Sequence, residues 1–117
     1  MKSYTDLEQS RKLAEILPIE SADMCYRIVA YNSNDAHEYQ PYCFIGTLGS
    51  DIPCWSLAAL LEVIGVECRM EKTPLDQSGE FTYSMVDDYN SIRTFECGNP
   101  IDACVEMIYK LKERNLL

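Results

Sequence analysis

Cys54, His37 and a scatter of carboxylates are the residues in this chain whose chemistry could go beyond packing. Pro53 suits the first turn of a helix, which sets Cys54 near a helix N-terminus. There the dipole lowers a thiol pKa and raises its thiolate content. His37 is the one histidine in the chain and the one imidazole available as a base to such a thiolate. The simpler reading packs Cys54 beside Trp55 and leaves His37 solvated in a polar loop with no orienting motif. Asp87 and Asp88, with Asp76 or Glu80 near in sequence, could hold a hard cation. Adjacent acids in a turn more simply serve to solvate a hairpin. The cysteines at 25, 43, 54, 68, 97 and 104 show neither a C-x-x-C pair nor zinc-type spacing. They read as reduced thiols acting as small hydrophobes, in a cytoplasmic setting. The glycines are isolated and cradle no phosphate, and no G-x-S-x-G elbow occurs. No catalytic residue, metal ligand or cofactor is therefore expected.

The charge pattern carries more information. The 117 residues hold 10 Lys plus Arg against 19 Asp plus Glu, a net charge of −9. From Ile28 to Cys68 there is no Lys or Arg, while Asp35, Glu38, Asp51, Glu62 and Glu67 contribute −5. Tyr31, Tyr39 and Tyr42 flank the polar loop 32–41 in the same stretch. Tyrosine offers contact area with a polar tip and is enriched at interfaces. Tyr31, Asp35, Glu38, Tyr39 and Tyr42 are thus the candidate binding surface, suited to a basic protein whose approach charge would steer. An acid-rich chain is a poor direct nucleic-acid binder. No apolar run nears the roughly 20 residues of a membrane span, and the first residues lack the apolar stretch of a secretory signal.

These residues need elements to hold them. Thr5-Asp6-Leu7-Glu8 has the form of a capping box, with Thr5 as the cap, and opens a helix that Pro18 ends. Met24–Tyr31, rich in aromatic and β-branched residues, reads as a strand, and Tyr42–Leu48, apolar on both faces, reads as a second and central one. Ser50 or Asp51 caps a helix over Cys54–Ile64, apolar nearly all round and so central, which Gly65 stops. Val66–Met70 reads as a short strand and Glu71–Gly79 as a loop. Glu80–Val86 and Ser91–Cys97 alternate with period two and form a hairpin wetted on one face. Asn99-Pro100-Ile101-Asp102 opens a last helix, followed by apolar residues at i, i+3, i+4 and i+7. Leu116 and Leu117 are expected to dock. The expectation is a single α+β domain over residues 1–117. About three helices would cover one face of a mainly antiparallel sheet of four to five strands. Strands followed by a helix occur twice, which raises the idea of a duplicated unit.

Three blocks resemble a known set of proteins. They are Leu13–Pro18 with Glu20–Met24, the central Ile52–Leu61, and the closing Asn99–Ile108. Together they cover roughly a quarter of the chain, in order, and are similar to a family of small uncharacterised bacterial proteins associated with prophages and mobile elements of gut anaerobes. The resemblance implies a shared fold and no activity, so no functional residue carries over. The expected function is that of a small non-enzymatic accessory protein acting through protein–protein interaction with a basic partner. A sharper form makes it a decoy for a DNA-binding protein, with carboxylates where phosphates would sit. The alternative is a small-ligand-binding protein or enzyme with a pocket near Cys54 and Trp55. A homo-oligomer is a third reading, since strands apolar on both faces leave surface to cover.

Overall fold

The computed structural model describes residues 2–31, 37–43 and 51–117, with backbone alone at 28–31, 37–39, 42 and 43. The chain divides into two compact units, residues 4–59 and residues 60–117 joined by residues 1–3. Among the described residues the class is α+β, with three α-helices and two antiparallel sheets of three strands each. The sequence pattern predicts one sheet of four to five strands. Two separate sheets form instead because each set of strands pairs only within itself.

In the first unit, α1 (Leu7–Ala14) is capped by Asp6 rather than Thr5, and Asp6 and Gln9 form the reciprocal capping box. Thr5 is unavailable because it is fully buried and its hydroxyl oxygen accepts the Trp55 N–H at 3.1 Å. β1 (Met24–Tyr31) is the central strand, flanked by β2 (His37–Cys43) and the short β3 (Ile52–Cys54). The sequence starts the second strand at Tyr42, but pairing with β1 already begins at His37. Residues 44–50, which include the rest of that expected strand and the Ser50 cap, lie outside the described residues. The sequence pattern puts Cys54 in a helix, but it lies in a strand, because Tyr26, Cys25 and Met24 pair with Ile52, Pro53 and Cys54. Pro53 is tolerated there since β3 is an edge strand. The helix after it, α2 (Leu57–Ile64), whose residues from Leu60 on belong to the second unit, begins later than the sequence suggests, with the Ser56 hydroxyl accepting the Ala59 N–H at 3.2 Å. Its apolar residues are not all enclosed. Ala59, Leu60 and Ile64 are buried, whereas Leu61 is 41% exposed. Gly65, at φ +87°, ends it in the left-handed region that favours glycine.

In the second unit the order is β4 (Cys68–Pro74), β5 (Phe81–Asp87), β6 (Ile92–Arg93). β4 runs well into the stretch read as a loop. Its charged residues Arg69, Glu71 and Lys72 mark a sheet edge rather than a loop, and Pro74 is its last residue. β5 is not wetted on one face as its alternation suggests: Tyr83 to Asp87 are all buried. It is the central strand, and α3 (Pro100–Glu113) packs against it and against β6. The expected second arm, Ser91–Cys97, shortens to two strand residues plus an isolated bridge, Tyr83 to Cys97. Between that bridge and the Val86–Arg93 pair, β5 advances three residues and its partner four, so the partner carries one extra residue. The Thr94 hydroxyl fills in for the ladder by accepting the Met85 N–H at 2.9 Å.

α3 begins as its sequence dictates. Asn99 accepts the Asp102 N–H at 2.9 Å, and Pro100 stands in the first turn. Ile101, Cys104, Val105, Ile108 and Leu111 are buried along one stripe. The helix closes with Asn115 in the left-handed region (φ 56°), where Leu116 N–H reaches Leu111 O at 2.8 Å. Leu116 and Leu117 do not dock as expected and remain 45% and 44% exposed. The two halves are not copies of one unit. The first strand is central in one sheet and the second strand in the other.

Candidate functional site

The thiol the sequence singles out is sealed. Cys54 and Trp55 both have 0% exposure. The Cys54 Sγ donates to Thr5 O at 3.5 Å and receives the Thr5 hydroxyl at 3.6 Å. Burial pushes its thiol up, against the pull of hydrogen bonds involving Thr5, Ser10 and Tyr26. A strand position also removes the helix dipole that would have lowered it. Tyr26 donates its hydroxyl to Thr5 O at 2.7 Å, and burial raises its phenol as well. The Trp55 indole N–H is satisfied by Ser21 Oγ at 3.0 Å. Asp23 accepts the Ser56 N–H at 2.9 Å and the Ser56 hydroxyl, tying the turn before β1 to the start of α2.

His37 is not beside Cys54. On β1, Met24 pairs with Cys54 and Tyr31 pairs with His37. Seven strand steps lie between them, about 23 Å at ~3.3 Å per residue. Cys54 and His37 therefore do not pair as nucleophile and base.

The candidate binding residues fall largely on one ribbon. The β1–β2 ladder sets Tyr31 opposite His37, Ala30 opposite Glu38, Ile28 opposite Tyr39 and Cys25 opposite Tyr42, with an irregularity between Ile28 and Ala30. Asp35 lies outside the described residues, in the connection between the strands. Of the five carboxylates in the Lys- and Arg-free stretch, Asp51 is engaged by Arg27, Nε to Oδ2 at 3.3 Å.

The paired acids considered for a cation have other occupations. Asp87, 2% exposed, accepts the Asn90 N–H at 3.0 Å and its side-chain amide at 2.8 Å, and these bonds hold its carboxyl below the usual range. Asp88 accepts Arg69 Nε at 2.9 Å. Glu71 receives Arg93 and Arg69, each at 2.6 Å, and those two guanidiniums, Arg93 foremost, pull its carboxyl down to about 2. Arg69, Glu71, Arg93 and Asp88 thus form a surface lattice with no net charge. Among the described residues no three His, Cys, Asp or Glu side chains gather as a metal site. The described cysteines 25, 54, 68, 97 and 104 are free thiols. No helix of the described residues is long and apolar enough to cross a membrane.

Two of the open cavities bordered by described residues lie in the second unit. One of about 330 Å³ is bordered by Arg93, Lys110, Arg114 and Glu113. The other, about 480 Å³, runs along the β4–β5 turn past Leu75, Glu80, Phe81 and Tyr83. Sequence reasoning missed the second because Glu71–Gly79 reads as a loop. The signal was present in the alternation Phe81, Thr82, Tyr83, which puts both rings on one face of a strand. No family model, no curated protein and no solved structure matches the chain.

Proposed function

We propose that this is a small non-enzymatic accessory protein that acts by binding another protein with a basic surface. The observation that carries the reading is the absence of Lys and Arg from Ile28 to Cys68. This stretch holds Tyr31, Glu38, Tyr39 and Tyr42, whose backbones the β1–β2 ladder gathers into one ribbon. A field of one sign raises the encounter rate with a partner of the other sign and disfavours like-charged competitors. The burial of Cys54 and Trp55 weighs against the ligand-pocket alternative, because neither side chain reaches solvent. Kinship with the mobile-element proteins that the three sequence blocks resemble belongs to the same proposal.

The test is capture from a bacterial lysate on the immobilised chain, at ~50 mM and at ~500 mM salt, where the Debye length shrinks severalfold. A basic protein should be held at low salt and released at high salt. The double variant Asp35→Asn, Glu38→Gln should weaken its capture. Capture indifferent to salt and to these substitutions, or no capture, refutes the reading.

A further inference from the structure

The second unit contains a pair of rings that already hold a cation. Lys72 and Tyr83 face each other across the β4–β5 ladder, and the Lys72 Nζ sits 4.1 Å from the Phe81 ring centre and 5.9 Å from that of Tyr83. The negative faces of aromatic rings attract ammonium and guanidinium groups in this way. The pair is firmly positioned. Tyr83 is 8% exposed, and its N–H and C=O bond to Cys97 at 2.8 and 2.7 Å. Phe81 remains 39% exposed. The cavity of about 480 Å³ opens beside them, and Glu80 is the one charged residue in its lining. Gly79 and Gly98 border it, and a Cβ at either would meet nothing within 4 Å, so there is room for another backbone to approach.

We propose that the Phe81–Tyr83 pair at the β4–β5 turn is a docking site for a lysine or arginine side chain of a basic peptide segment, occupied in this structure by the chain's own Lys72. The rings supply the cation-accepting face, Glu80 supplies the opposite charge, and Leu75 covers the aliphatic stem of the incoming side chain. The net charge of −9 favours the approach of a polycation. Lys72 is exposed and holds its place through a contact that biases an equilibrium only ~2–5-fold at such a site. A partner side chain displaces it readily. The inference deepens the reading of a basic partner and rests on it.

The probe is a 12-residue lysine–glycine repeat peptide, with its lysine-acetylated form as the uncharged control. Binding is followed by the NMR shifts of the Phe81 and Tyr83 ring protons. Lys72→Gln, which vacates the rings and removes a like charge, should tighten binding by about threefold. Phe81→Leu, at a half-exposed position where an apolar side chain is retained, should weaken it by a similar factor. The acetylated peptide should not shift the rings. Equal affinity for wild type, Lys72→Gln and Phe81→Leu overturns the site, as does equal binding of the acetylated peptide. Salt-sensitive lysate capture that is unchanged in both variants also overturns it while leaving the accessory reading standing. Ring-dependent peptide binding without any lysate capture removes that reading and keeps the site.

Discussion

Thr5→Val tests the polar knot around Cys54 with almost no change of shape. Thr5 has 0% exposure, and so has Ser10, whose hydroxyl lies 2.8 Å from Thr5 Oγ1. The same Thr5 oxygen accepts the buried Trp55 N–H at 3.1 Å. Valine replaces the hydroxyl with a methyl group and leaves that N–H without an acceptor, at a cost of about 1–3 kcal/mol. Ser10 loses its partner too, but from within a helix it can turn toward the carbonyl one turn back, which limits its share to ~1 kcal/mol. The expected loss is therefore ~2–4 kcal/mol. Thr5→Ser keeps the oxygen and loses a methyl group, for about 1 kcal/mol. Urea titration reads both. With a slope near ~1.5 kcal/mol/M, Thr5→Val should lower the midpoint by roughly 1–3 M at unchanged slope. Adding Ser10→Ala should cost less in the valine background than in wild type, a coupling on the order of 1 kcal/mol. A Thr5→Val loss below ~0.5 kcal/mol, or no larger than that of Thr5→Ser, would refute the claim that this hydroxyl carries the knot.

Other expectations follow from single residues. Burial, with Asp87 beside it, pushes the Cys68 thiol up to about 11, so at pH 8 its thiolate fraction is a few hundred times below that of an ordinary thiol. Greater intrinsic nucleophilicity returns about tenfold of that. Peptide-resolved alkylation should find it roughly 20-fold slow at pH 8, and rising about tenfold per pH unit; a rate that levels off by pH 9 contradicts this. Ser91 stands at φ 56° in the β5–β6 turn, where glycine is at ease, so Ser91→Gly should raise stability by up to ~1 kcal/mol, and a lower melting temperature would disprove the strain. Glu71 titrates near 2, below its unfolded value, so its contribution is present above that unfolded value and fades as pH falls through about 2. Carboxyl NMR should show the low midpoint, and Arg93→Gln should raise it; an unmoved midpoint rules out Arg93 as the cause. Asn99→Ala should cost ~1 kcal/mol through the lost cap, measurable by thermal melting.

What the sequence made legible was local and short-range. Asn99, Pro100 and Asp102 specify the start of α3 within one turn, and the structure has them there. Where a long-range partner competes, the local signal misleads. Thr5 has the form of a cap, yet Trp55, fifty residues away, claims its oxygen, and the capping box moves to Asp6 and Gln9. Pro53 suits a helix start equally well, but pairing of Ile52–Cys54 with β1 outweighs that preference and carries Cys54 out of reach of a helix dipole. The charges and proline of β4 look like a loop because an edge strand faces the same solvent a loop does. The acidic, tyrosine-rich character of residues 31–42 could be read from composition. The alternation Phe81, Thr82, Tyr83 shows two rings on one face, but their contact with Lys72 stays hidden, because Lys72 reaches them from a strand that the sequence conceals.

The surplus residue between Arg93 and Cys97 has a consequence for how this hairpin assembles. A perfectly regular ladder can slide by two places and still match its faces, so slipped forms compete during folding. Here a slide would take the Thr94 hydroxyl away from the Met85 amide and leave a buried donor empty. The irregularity that shortens β6 acts as a ratchet tooth: it gives up a stretch of pairing and leaves the hairpin one alignment in which to close.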